Sequence, residues 1–179
     1  MNTGGAPVAA DDRIPLALRL YHAALAASFF GAWALEPVWR DVHVWLGYGV
    51  AGLLLWRLAY GLGGPRGWRF ASFVVGPRHV WRYGLDLSRG RAELRTGYNP
   101  LAGWAIVGQM LVLGALALSG HGLNTDRFWG DETLQAVHAL LVDLMWALIG
   151  LHLAGVVLAS VRSRQLLPLA MLGGRRHPH

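Results

Sequence analysis

The chain has no cysteine in its 179 residues and few charged ones. Without thiols it can form no disulfide, no iron–sulfur cluster, no thiolate zinc site and no thioether-linked cofactor. Charged side chains make up only 15% of the residues against 54% hydrophobic ones, and mean hydropathy is positive. That balance is foreign to a soluble domain of this length. A signal peptide is also missing from the first fifteen residues. They hold Asp11, Asp12 and Pro15 in place of a short apolar core and a small-residue cleavage site, so the first hydrophobic segment is expected to stay in the mature protein. The length leaves room for one membrane domain, 1–179, and not for a second.

Four apolar stretches fill the chain, at about residues 16–35, 42–62, 99–120 and 134–160. Each is close to the ~20 residues that cross a bilayer as a helix. They predict an all-α fold, a transmembrane four-helix bundle. Glu36 and Pro37 form a short turn that makes the first two stretches antiparallel neighbours, and Asn99-Pro100 opens the third as an N-cap followed by proline. The fourth is longer than a crossing requires and is expected to tilt or project.

Charge sets the orientation. The connection between the second and third stretches carries Arg66, Arg69, Arg78, Arg82, Arg89, Arg91 and Arg95, and the carboxyl-terminal tail carries Arg162, Arg164, Arg175 and Arg176. The two other connections carry only Arg40 and Arg127. Positive residues stay inside, so the tails 1–15 and 163–179 are expected on the cytoplasmic side of a bacterial inner membrane. This also accounts for the net charge of +6 without nucleic acid, which would need a soluble basic face. After Pro77 the arginines alternate with Val80, Trp81 and Tyr83, predicting a short amphipathic helix on the inner membrane surface.

Ionisable residues at membrane depth are costly, yet His22, His43, His138 and His152 all fall in apolar stretches. His138 and His152 are fourteen residues apart, almost four turns, which puts both on one helix face about 21 Å apart in height. With the amino terminus inside, the first stretch runs outward and the second and fourth run inward. His22 is then inner, His43 outer, His138 outer and His152 inner. Two pairs of like depth result, His43 with His138 and His22 with His152. Axial ligation of two stacked b-type haems is the economical reason for such an arrangement, and the third stretch, with no histidine in its body, completes the wall.

Neighbouring residues fit around these pairs. Arg57, fourteen residues after His43, and Arg19, one turn before His22, are candidates to hold a haem propionate. Gly47, Gly49, Gly52, Gly150 and Gly155 would let a flat macrocycle approach, or simply let helices pack closely. His121, at the outer end of the third stretch, is an alternative outer ligand. His79, His177 and His179 read as solvated. Gln109 reads first as an interhelical hydrogen bond and second as a quinone contact. Asp143 lies about 140° around from His138, either bonded to another helix or part of a proton path. The tryptophans near the ends of the stretches make an interfacial belt.

The segments Arg19-Leu20-Tyr21-His22, Asp41-Val42-His43-Val44-Trp45-Leu46-Gly47, Arg57-Leu58-Ala59-Tyr60-Gly61, Gly76-Pro77-Arg78 and Gly97-Tyr98-Asn99-Pro100, with His138 and His152, resemble the bacterial cytochrome b561 and nickel–iron hydrogenase b-type subunit family. The resemblance covers about residues 13 to 174. It implies a four-helix diheme core with axial ligands at His22, His43, His138 and His152, and electron exchange between the quinone pool and a redox partner. Ala23 stands where the family often has tryptophan. The additional helix of the hydrogenase members is absent, which favours the cytochrome b561-like branch.

The expectation is therefore a b-type cytochrome with two non-covalent haem b groups. It would conduct electrons between a quinone such as ubiquinone and a periplasmic cytochrome or dehydrogenase. Bis-histidine ligation leaves no open iron position, which favours outer-sphere transfer over oxygen binding. The small size points to dependence on a partner, a second copy of the chain included. Superoxide oxidation at the outer haem is a variant within the family. The competing classes are a metal-ion or proton transporter lined by the same histidines, and a cofactor-free membrane anchor.

Overall fold

The computed structural model describes residues 14–65, 68–89, 100–164 and 166–173, and among them every regular element is helical. In chain order these are α1 (Leu16–Leu35), α2 (Arg40–Gly63), α3 (Pro77–Ser88), α4 (Pro100–Leu123), α5 (Glu132–Ser163) and α6 (Leu167–Gly173), with a 3-10 turn at Phe70–Ser72. Asn99, the expected cap of α4, lies outside the described residues, as do Arg66, Arg91, Arg95, Arg175 and Arg176.

Three of these helices, Arg40–Gly63, Pro100–Leu123 and Glu132–Arg162, are long and apolar enough to cross a membrane. The fourth expected span, α1, has the length at 20 residues but not the composition. Arg19, Tyr21 and His22 dilute the apolar character of its first two turns. The three qualifying helices and α1 turn large apolar residues outward, among them Leu20, Trp45, Leu55, Leu62, Leu118 and Leu140. A surface of that kind suits hydrocarbon better than water.

Local chemistry sets the helix ends. The Asp131 carboxylate accepts from the Leu134 N–H at 2.8 Å and caps α5. Arg164 closes the other end in the left-handed region, φ 53°. Pro77 sits in the first turn of α3, where its missing N–H costs nothing. Beyond α5, the Leu167 N–H donates to Ser160 Oγ at 3.3 Å and Arg19 Nε donates to the Met171 carbonyl at 2.9 Å, so α6 is tied both to α5 and to the start of α1. The expected carboxyl-terminal tail thus contains a short docked helix.

α1 packs along α2, α4 along α5, and α2 against α4, while the backbones of α1 and α2 make few close approaches to α5. Side chains bridge that space. Trp146 of α5 meets Phe29, Phe30 and Trp33 of α1 at ring-centroid distances of 5.1 to 6.0 Å. The buried core of the bundle is Phe29, Val50, Leu54, Leu113, Leu116 and Met145. At the far end of α2, the turn at Phe70 folds back over the helix, bringing Phe70 and Phe73 to 4.6 and 5.8 Å from the Arg57 guanidinium. Gly61 makes this possible, because a Cβ there would run into the Phe70 ring.

Candidate functional site

The four histidines expected to act together, His22, His43, His138 and His152, come together two by two. His22 of α1 faces His152 of α5 with ring centroids 6.5 Å apart and planes at 37°, and His43 of α2 faces His138 of α5 at 6.2 Å and 70°. α5 contributes one ring to each pair, so the pairs are separated by its fourteen-residue interval, about 21 Å of helical rise. Between the two levels lies the apolar core. Phe29, Val50 and Met145 each follow a histidine by seven residues, two turns inward.

Hydrogen bonds fix the rings of the His43–His138 pair. His43 Nδ1 stands 2.9 Å from the Ala32 carbonyl oxygen in the last turn of α1. A carbonyl only accepts, so Nδ1 carries the proton and the lone pair is left on Nε2. His138 Nδ1 is 2.8 Å from Ser119 Oγ on α4. No described residue hydrogen-bonds to His22 or His152. On the same level Tyr21, next to His22, stacks on Trp56 at 5.4 Å, and Trp56 stacks on Tyr60 at 4.9 Å.

The remaining expected residues have definite places. Arg57, 5% exposed, lies beside Trp56 at the His22 level and beneath Phe70 and Phe73. Arg19 reaches the Met171 carbonyl. An added Cβ at Gly47 or Gly150 would meet nothing within 4 Å, so neither glycine is there for close helix packing within the chain. His121 is not apposed to His43 or His138. Its Nδ1 is 3.0 Å from the Tyr48 hydroxyl. Gln109 Nε2 donates to the Leu148 carbonyl across the α4–α5 contact at 3.3 Å, the plainer of its two readings. Asp143 is exposed on α5. An apolar groove between α3 and the start of α4, lined by Pro77, Val80, Trp81, Leu85, Leu101 and Trp104, is remote in sequence from every intramembrane histidine; the Trp104 indole N–H there is already given to the Val75 carbonyl.

Sequence reasoning missed Ser119, Gly120 and the Ala32 carbonyl, each of which touches or closely approaches His43 or His138. An added Cβ at Gly120 would stand 3.3 Å from His138 Cε1. A backbone carbonyl, a lone serine and a glycine within apolar helices carry no sequence signal that marks them as neighbours of a histidine.

An all-helical protein with three membrane-capable helices and paired imidazoles between its helices belongs to the class of membrane proteins equipped to hold a planar metal cofactor. The chain belongs to the prokaryotic cytochrome b561 family, whose model matches residues 13–174. No curated protein and no solved structure matches the chain. Membership makes it a membrane cytochrome, with b-type haem as its cofactor and electron transfer as its activity.

The residues present fit that group. Two metal–nitrogen bonds of about 2 Å laid end to end, plus about 1 Å from each nitrogen to its ring centroid, separate two axial imidazoles by about 6 Å. Both histidine pairs have that separation. Among the described residues, no three His, Cys, Asp or Glu side chains cluster as a metal-ion site.

Proposed function

We propose that this protein is a diheme b-type cytochrome of a bacterial inner membrane, passing electrons across the bilayer between the quinone pool and a periplasmic or membrane redox partner. One observation carries the reading: two histidine pairs, each with its rings far enough apart to share one metal ion and set about four helical turns apart along α5. In this reading His43 and His138 hold the outer haem and His22 and His152 the inner one. α1 crosses the membrane despite its polar first turns, because it packs along the whole of α2 and turns His22 toward α5.

Haem supplies reversible one-electron chemistry at iron, and the chain determines where that iron sits. The Ala32 carbonyl holds the His43 ring in the tautomer that leaves Nε2 free to ligate. Arg57 places a guanidinium at the His22 level, where it would balance propionate charge in a medium of low dielectric; Arg19 is the second candidate at the same end. Phe29, Val50, Leu54 and Met145 fill the space between levels and keep water out of it. Histidines in two well-separated twos give no support to a transporter, which would gather its ligands near one midplane site.

The visible spectrum of the purified protein before and after dithionite, with a pyridine haemochrome assay, tests the reading. Two haem b per chain is the expected result. A folded protein prepared with adequate haem that carries one or none rejects it.

A further inference from the structure

α4 carries neither member of either histidine pair, yet it reaches the outer pair through Ser119. The Ser119 hydroxyl is buried, 7% exposed, and stands 2.8 Å from His138 Nδ1 and 3.1 Å from the Leu116 carbonyl oxygen. A hydroxyl has a single proton, and the carbonyl can only accept one. The serine therefore donates to Leu116 and accepts at Oγ, which makes His138 Nδ1 the donor. The chain His138 Nδ1–H to Ser119 Oγ–H to Leu116 C=O leaves the His138 lone pair on Nε2. It also sets the ring's rotation about its own bonds. Gly120 supports the same placement from the next position, since the close approach of α4 to His138 Cε1 leaves little room for a Cβ.

We propose that Ser119 is a positioning residue for His138 and lowers the redox potential of the outer haem. The inference rests on the diheme reading above. An acceptor behind Nδ1–H draws the imidazole toward imidazolate character and makes Nε2 a stronger donor. A stronger donor favours ferric over ferrous iron, so the bond holds the midpoint down. His43 receives the same treatment from a backbone carbonyl, which no substitution removes. Ser119 is thus the point at which a side chain sets this property. The inner pair has no counterpart among the described residues, and its midpoint is independent of Ser119.

Redox titration of the intact protein, followed by its visible spectrum, tests this with Ser119→Ala and Ser119→Thr. Ser119→Ala is expected to raise one of the two midpoints by up to about tenfold in ferric-to-ferrous preference, about 59 mV for one electron, and to leave the other unmoved. The raised midpoint should be the one missing from His43→Ala. Ser119→Thr keeps the hydroxyl and should titrate like the unmodified protein. Should Ser119→Ala lose the outer haem while Ser119→Thr keeps it, positioning is supported by the same logic. Two unmoved midpoints, equal shifts of both haems, or a threonine variant as impaired as the alanine variant would overturn the proposal. An unmodified protein with fewer than two haems removes the diheme reading itself, a result distinguishable from all of these.

Discussion

Arg57 shows how a single residue can be committed to one place. Its guanidinium is 5% exposed, with the Phe70 ring 4.6 Å from it and the Phe73 ring beyond. Cation–π attraction of this kind strengthens when water is excluded. The arrangement depends on the bare backbone of Gly61, over which Phe70 lies. Gly61→Ala is therefore expected to destabilise the protein by about 1–3 kcal/mol, the range for overpacking a filled site. Gly84→Ala, in the middle of α3 where an added Cβ meets nothing within 4 Å, should be neutral or slightly stabilising. Thermal unfolding of the two variants in the same detergent makes the comparison, and equal melting temperatures would contradict it. Asp143 gives a contrasting case. It is exposed on α5, away from both histidine pairs, so Asp143→Asn should leave both haem midpoints where they are, as read by redox titration.

At the scale of elements, much of the fold was legible because long apolar runs admit few interpretations. The expected stretch 16–35 coincides with α1, 42–62 is extended in α2 by two residues at its start and one at its end, and 134–160 is extended in α5 by two and three. The helix expected after Pro77 is α3. Depth reasoning from span direction and helical rise also matched His22 to His152 and His43 to His138, the rings that face each other. Two features were not legible. α6 is held by Arg19, 152 residues away in the chain, and by the Ser160 hydroxyl, which the sequence pattern does not single out, so nothing in its short apolar run distinguishes it from a tail. Ser119 was invisible because α4 is apolar all round, and a helix without a polar stripe does not declare which face meets its neighbour. Gln109, by contrast, is read from the sequence first as an interhelical hydrogen bond, and it bonds the Leu148 carbonyl of α5. Gln109→Leu is expected to cost about 0.6 kcal/mol, the average for an interhelical hydrogen bond in a membrane protein. It should not change the rate at which quinol reduces the haem. A large loss of quinol reactivity with stability unchanged would restore the quinone reading of Gln109.

For the whole molecule, the proposed orientation rests on the arginines. Arg40 at the start of α2 lies over the Trp129 ring at 4.6 Å, so one of the few cations at that end is held against the loop between α4 and α5. Among the described residues Arg69, Arg78, Arg82, Arg89, Arg162 and Arg164 follow the other end of α2 or lie at the other end of α5, the end that the proposed orientation, by the positive-inside rule, assigns to the cytoplasm. A reporter fluorescent only in the cytoplasm should be active when fused to the carboxyl terminus, and a phosphatase active only in the periplasm should be active in the loop at 124–131. The opposite pattern would exchange the inner and outer haems throughout. The central claim, that each haem belongs to one histidine pair, is tested most directly by counting haem in paired variants. His43→Ala, His138→Ala and the double variant of the two should each keep one haem with the same spectrum and midpoint. His22→Ala and His152→Ala should keep the other, and combining His43→Ala with His22→Ala should leave none. The account is contradicted if properly inserted His43→Ala matches His152→Ala, or if the His43, His138 double variant loses both haems while each single variant retains one.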